Sequence, residues 1–128
     1  MLIHLDNSVL VDAFTGSRRS LTSVVAATAA GDVLTYCALA EYEWLRGPRS
    51  NAEREAVARF FGLESIVAFG VREAEVAAAL YRDLPRARQR QADLAIAACA
   101  IEHGAQLWTL NPADFEDIPG LTVYEPGN

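Results

Sequence analysis

The sequence predicts a three-layer α/β/α domain with a mostly parallel five-stranded sheet. Strand-like and helix-like stretches alternate along the whole chain, which is the pattern of βαβ units. No linker, repeat or low-complexity segment interrupts this alternation. The length of 128 residues suits one domain, spanning 1–128, and the 52% of hydrophobic residues exclude a disordered chain.

Five short apolar segments are typical of buried strands. They cover residues 2–5, 33–36, 65–69, 106–110 and 121–125. The first is nearly all apolar, so we expect it in the centre of a sheet with strand order 3-2-1-4-5. In such a sheet the strand order reverses between strands one and four, where ligands usually bind.

Five helices are predicted between these strands from apolar periodicity and end signals. The second strand is followed by a helix that runs to Gly47, and an alanine-rich helix covers residues 91–103. Three more helices are marked by buried-face residues: Leu21, Val24, Val25 and Thr28; Val57, Phe60 and Phe61; Val76, Ala79 and Leu80. Ser50 and Glu53 have the spacing of a capping box, which opens the helix of Val57.

Several classes of protein are excluded or disfavoured. The net charge of −6 argues against a protein that coats nucleic acid. The sequence has no P-loop, GxGxxG or GxSxG motif, and His4 and His103 are too few for a histidine-based zinc site. Cys37 and Cys99 lie in apolar segments and are expected to be reduced core thiols. We see no signal peptide or membrane span and expect a cytoplasmic protein.

The remaining chemistry lies in carboxylates at the ends of predicted elements. Asp6 follows the first strand, where an N-cap role is an equal alternative. Asp93 lies in the first turn of an alanine-rich helix, where the helix dipole alone would favour an acid. Asp114 follows the fourth strand in a Pro/Asn loop. Glu41 and Glu43 are two residues apart on one helix, so only one of them can face a shared site.

Together these acids predict a divalent cation site. Two carboxylates about 4 Å apart repel by about 4 kcal/mol at an effective dielectric constant near 20. A bound cation relieves that repulsion, and all-oxygen ligands favour Mg²⁺ or Mn²⁺ over zinc. Such metals activate water and stabilise charge on a phosphoryl group.

Four segments in this order resemble the PIN-domain family, and within it the VapC-type toxins of toxin–antitoxin pairs. They are residues 5–8 (LDNS), 43–47 (EWLRG), 91–97 (QADLAIA) and 109–115 (TLNPADF). The resemblance covers nearly the whole chain. It implies a Mg²⁺- or Mn²⁺-dependent ribonuclease that acts on structured RNA, forms a homodimer and is inhibited by a cognate antitoxin.

The resemblance also implies roles for residues. The catalytic acids are Asp6, Glu43, Asp93 and Asp114, with Asp6, Asp93 and Asp114 as metal ligands. Glu43 is preferred to Glu41 because the family's glutamate precedes a glycine by four positions. Many relatives carry an acid at position 111, and Asn111 here shifts the fourth acid to Asp114. Ser8, Asn111 and Arg88 are weaker candidates for binding substrate.

Other interpretations remain open. A phosphatase with Asp6 as nucleophile usually has a second acid two residues later, where this chain has Ser8. A PIN-like binding module without catalysis is disfavoured because all four acids are present. The arginines at positions 82, 86, 88 and 90 either attract RNA phosphates or keep a loop soluble. Residues 44–49 either contact a partner or bury Trp44.

Overall fold

The computed structural model describes residues 1–127 and contains a parallel sheet with the order β3-β2-β1-β4. Its strands are β1 (Leu2–Leu5), β2 (Val33–Cys37), β3 (Ile66–Val67) and β4 (Gln106–Trp108). Ile3 pairs with Leu34 on one side and with Gln106 on the other, so β1 is central as predicted. Asn128, the last residue of the predicted domain, lies outside the described residues.

The prediction of a fifth strand was wrong. Of the segment 121–125, only Val123 bridges the sheet, in parallel to Leu107. Two backbone hydrogen bonds form this bridge, from Leu107 N to Thr122 O at 2.9 Å and from Tyr124 N to Leu107 O at 2.7 Å. The ladder stops there because β4 itself has only three residues and Pro126, which lacks an N–H donor, follows directly.

Helices cover the sheet on both faces. Within the described residues they are α1 (Asn7–Phe14), α2 (Leu21–Ala29), α3 (Ala38–Arg46), α4 (Asn51–Phe61), α5 (Val71–Asp83) and α6 (Gln91–Glu102). Tyr36 of β2 contacts Phe61 of α4 with ring centroids 5.3 Å apart, which marks one face. His4 of β1 lies on the other face, beside His103 at the end of α6. The alternation of side chains along strands thus produces the predicted three layers.

Three details of the helices differ from the prediction. Val25 and Thr28 were expected on the buried face of α2 but are exposed, because the buried positions of this helix are Val24 and Ala27. The helix α1 was not predicted at all. Phe60 was expected in the core but is 38% exposed, because the buried positions of α4 are Val57 and Phe61 and Phe60 is rotated about 100° from Phe61. The capping box was correct: Ser50 Oγ accepts from Glu53 N at 3.1 Å, and Glu53 Oε1 accepts from Ser50 N at 2.8 Å.

Trp44 is buried, and the guanidinium of Arg49 lies 4.6 Å from the centroid of its ring. Cys37 and Cys99 are buried free thiols, as expected. No helix within residues 1–127 is long and apolar enough to cross a membrane.

A buried histidine stands in the middle of the sheet. His4 is 1% exposed and its Nδ1 contacts Thr35 Oγ1. Thr35 Oγ1 donates to Ile3 O at 3.3 Å, so it accepts from a protonated Nδ1 of His4. His4 Nε2 has no hydrogen-bond partner. Burial first, and His103 second, lower the pKa of His4 to about 4.

This low pKa predicts that the protein loses stability in mild acid. The unfolded chain protonates His4 at its ordinary pKa of 6.5, whereas the folded chain does so near 4. The contribution of neutral His4 to the free energy of unfolding is therefore complete above the ordinary pKa. It is lost as the pH falls from 6.5 toward 4, by on the order of 3 kcal/mol. Urea unfolding of the wild type and His4→Asn across this range measures the effect. We expect a smaller pH slope in the variant, and equal slopes would contradict the assignment.

Candidate active site

Asp6 lies at the carboxyl end of the central strand, where its backbone N–H donates to Trp108 O of β4 at 2.9 Å. Its side chain is 7% exposed and makes no cap hydrogen bond to α1. Instead, Oδ2 accepts hydrogen bonds from Ser8 Oγ at 2.9 Å and from Thr109 Oγ1 at 2.7 Å. Its carboxylate is thus oriented by two hydroxyls rather than used as an ordinary helix cap.

The two hydroxyls also tie Asp6 to the loop that follows β4. Ser8 Oγ accepts from Leu110 N at 3.0 Å, and Thr109 Oγ1 accepts from Asn111 N at 3.1 Å. Ser8 was predicted to bind substrate. In the structure its hydroxyl donates a hydrogen bond to Asp6 and positions that acid. The role of Thr109 was missed. The sequence feature that could have indicated this role is a hydroxyl residue directly after β4, the strand that pairs with β1.

Two further acids, Glu43 and Asp93, lie near Asp6, and a third, Asp114, lies near Asp93. Glu43 is on α3, Asp93 is in the first turn of α6, and Asp114 ends the 3₁₀ turn Pro112–Asp114. Burial first, and then the charges of Asp6 and Asp93, raise the pKa of Glu43, while Arg46 at 3.9 Å lowers it. Burial, Asp6 and Asp114 raise the pKa of Asp93. The acids that the sequence singled out are therefore neighbours that repel one another.

Glu41 does not join this cluster. It lines a separate cavity with Tyr36, Trp44 and Arg54. Burial raises the pKa of Glu41, and its charge contributes to raising the pKa of Tyr36. Residues two apart on a helix point in nearly opposite directions, so Glu43 of α3 faces Asp6 while Glu41 faces α4.

The arginines near the acids divide into two kinds. Arg90 donates to Asp117 through both terminal nitrogens, at 2.9 and 2.6 Å, and to Asp114 O at 3.1 Å, so it holds the 114–117 loop. Arg86 lines an open cleft of about 460 Å³ together with Asp93 and Asp114. Arg88 is exposed but is not among the residues that line this cleft.

The donor set suits a hard divalent cation. Asp6, Glu43 and Asp93 are near one another and Asp114 is near Asp93, and Asp6 Oδ1 accepts no hydrogen bond among the described residues. Within residues 1–127, however, no three acidic, histidine or cysteine side chains lie close enough together to hold an ion directly. Mg²⁺ keeps several of its waters and is commonly held by one or two carboxylates, so the acids present fit a hydrated ion.

The repulsion among these acids predicts a stabilising substitution. Asp6→Asn removes one charge, and its amide oxygen can accept both hydroxyl protons, so we expect the free energy of unfolding to rise by on the order of 1 kcal/mol at pH 7. The gain should shrink as the pH falls and Glu43 and Asp93 become protonated. Urea unfolding in chelator measures this, with Glu55→Gln on α4 as a control outside the cluster. A less stable Asp6→Asn protein would contradict the prediction.

The chain resembles several solved structures along nearly its whole length. Examples are VapBC2 from Rickettsia felis bound to a DNA fragment from its promoter (TM-score 0.74, 21% identity, 97% of this chain and 98% of that chain) and DNA-bound VapBC from Salmonella typhimurium (TM-score 0.76, 20% identity, 97% and 98%). A toxin–antitoxin complex from Klebsiella pneumoniae is 24% identical over 98% of each chain, with a TM-score of 0.73. At these identities the likeness shows the fold.

A search of curated protein sequences finds no match. The family model of the PIN domain matches residues 3–121, a span that includes all four acids and both hydroxyls. The chain therefore belongs to the PIN domain family.

Proposed function

We propose that this protein is a VapC-type toxin, a Mg²⁺- or Mn²⁺-dependent endoribonuclease that acts in the cytoplasm. The observation that carries the proposal is the chain of neighbouring carboxylates from four separate segments: Asp6 at the end of β1 lies near Glu43 and Asp93, and Asp93 lies near Asp114. The structural neighbours, which are toxin–antitoxin complexes, support the biological context.

In this proposal Asp6, Asp93 and Asp114 would hold a hydrated metal ion, in part through its bound waters. When bound, the ion supplies Lewis acidity and lowers the pKa of a water molecule. The hydroxyls of Ser8 and Thr109 keep Asp6 in one orientation through its Oδ2. Glu43 has a raised pKa, which suits it to accept a proton from the attacking water.

A phosphatase with Asp6 as nucleophile is less well supported. That mechanism commonly needs a second carboxyl group to protonate the leaving group. Position 8 is serine, whose hydroxyl donates a hydrogen bond to Asp6. A non-catalytic binding module would have no use for acids whose pKa values are raised by burial and by mutual repulsion.

The RNA substrate requires positive charge beside this acidic centre. Arg86 lies in the cleft of Asp93 and Asp114, and Arg88 is exposed in the following 3₁₀ turn, Ala87–Arg90. Both are free to contact phosphates, whereas Arg90 is engaged by Asp117. Unpaired loop bases of a structured RNA can reach such an open cleft.

The antitoxin has a candidate docking surface away from the acids. An open apolar groove lies among α1, α2 and α4, and its lining includes Phe14, Leu21, Val25 and Phe60. Arg18 and Arg59 flank it. We propose that it receives an antitoxin segment with apolar side chains and flanking acids, whose charges would complement the two arginines.

The expected homodimer would use another surface. Ala77, Ala78 and Tyr81 of α5 line a mainly apolar depression with Leu94 of α6. Tyr81 is 44% exposed, so this face has apolar area available for a second copy.

A cleavage assay tests the nuclease proposal. Asp93→Asn should reduce Mn²⁺-dependent RNA cleavage more than about 100-fold, since loss of residues that only support metal ligands already costs 10–100-fold. Arg88→Ala should mainly weaken RNA binding and lower the salt dependence of log K by about 0.7. Glu55→Gln serves as the control. Asp93→Asn with full activity would contradict the metal assignment.

The cellular prediction follows from the same variant. Expression of the chain alone should arrest growth, and co-expression of the neighbouring gene should relieve the arrest. The Asp93→Asn protein should cause no arrest, although it still folds. Absence of toxicity, together with absence of metal-dependent RNA cleavage in vitro, would refute the proposed function.

Substitutions in the groove test the antitoxin interface. Phe60→Ala removes a ring that is 38% exposed and should weaken antitoxin binding about 10- to 100-fold, because burial of such a side chain contributes about 1.5–3 kcal/mol. Val25→Ser, on α2, should act in the same direction. Val71→Ala on α5 removes an apolar group that is 78% exposed and lies outside the groove, and it is the control. Calorimetric affinities that do not differ among the three variants would place the antitoxin elsewhere.

A further inference from the structure

We propose that a second cleft, between the α1–α2 loop and the loop after β4, binds an unpaired RNA nucleotide next to the cleaved phosphodiester, with Arg19 contacting its phosphate. This inference rests on the proposed nuclease function and extends it to a substrate subsite. The Arg19 cleft is open, with a volume of about 540 Å³, and is lined by Ser8, Val11, Asp12, Thr15, Gly16, Ser17, Arg19, Leu110 and Asn111.

The position of the Arg19 cleft carries the argument. It begins at Ser8, whose hydroxyl is bonded to Asp6, and at Asn111. The cleft of about 460 Å³ that Arg86 lines, here called the Arg86 cleft, begins at Asp93 and Asp114. Asn111 and Asp114 are the two ends of one tight turn, closed by a hydrogen bond from Asp114 N to Asn111 O at 3.0 Å. A polymer whose phosphate lies at the acids therefore has one open cleft on each side.

Arg19 is placed at the mouth of this cleft by Asp12. Its terminal nitrogen lies 3.3 Å from Asp12 Oδ1, while Ser20 Oγ donates to Asp12 Oδ2 at 2.5 Å. The side chain of Arg19 is 81% exposed. A guanidinium has five N–H donors in a planar fork, so one bond to Asp12 leaves the others available for a phosphate.

Neighbouring groups complete the site. Leu110 is 45% exposed in the cleft, and its backbone N–H is fixed by Ser8 Oγ. An apolar side chain beside an arginine suits a base face next to a phosphate, and a base presents its face only when it is unstacked.

The test compares two exposed arginines that each have one carboxylate partner. Arg19→Gln changes the proposed subsite. Arg72→Gln is the matched control, because Arg72 is 82% exposed and pairs with Glu102 at 3.5 Å on the α5–α6 surface. Steady-state cleavage is measured on a single-site RNA oligonucleotide and on two shortened versions, which keep only one nucleotide on the 5′ or on the 3′ side of the cleaved bond.

We expect Arg19→Gln to raise KM for the full oligonucleotide by about tenfold, the loss of one charged hydrogen bond, with kcat little changed. One of the two shortened RNAs should show no difference between Arg19→Gln and wild type, because its terminal nucleotide lacks the outer phosphate that Arg19 contacts. Arg19→Lys keeps the charge without the fork and should restore part of the affinity. Arg72→Gln should match the wild type throughout.

Three results overturn the inference, and they are distinct. If the wild type cleaves RNA while Arg19→Gln and Arg72→Gln have the same KM, the subsite is wrong and the nuclease function stands. An equal rise in KM on both shortened RNAs likewise rejects the subsite. If the wild type cleaves none of the RNAs with Mn²⁺, the proposed function fails and the subsite fails with it.

Discussion

The buried carboxylate of Asp6 is the constraint on which the rest of the site depends. It is 7% exposed, has Glu43 and Asp93 as charged neighbours, and receives its two hydrogen bonds from neutral hydroxyls. A cation in place of either hydroxyl would cancel the charge that the site concentrates. Ser8 and Thr109 instead fix the direction of the carboxylate and leave its charge intact, which is what a metal-binding acid requires.

The packing of α6 explains how Asp93 reaches this carboxylate. Four residues in succession, residues 97–100, are completely buried and three of them are alanine. Small side chains let a helix approach a sheet closely, and the first turn of α6 is thereby brought to the end of β1. The small volume of these core alanines therefore helps to determine the geometry of the site.

Much of this arrangement was predictable because it depends on local rules. An acid after an apolar strand and an acid at the start of an alanine-rich helix converge whenever the sheet is parallel, and the capping box of α4 needs only two residues. The predictions that failed depended on contacts between distant residues or on burial that outweighs local helix preference. The helix α1 begins in Asn7, Ser8 and Val9, which are weak helix formers, and it is stabilised mainly by burial of its apolar residues. The role of Thr109 depends on a contact across 103 positions in the chain.

The short helix α1 links the two surfaces on which the proposed function depends. Its first turn carries Ser8, which orients Asp6, and its last residue, Phe14, lines the apolar groove. Eight residues of helix span about 12 Å. The loop that follows contributes Arg19 to one cleft and Arg18 to the groove. A partner seated in the groove would therefore touch the same segment that positions the acid proposed to bind metal and the arginine proposed to bind phosphate, so the proposed inhibition would need no long path through the protein.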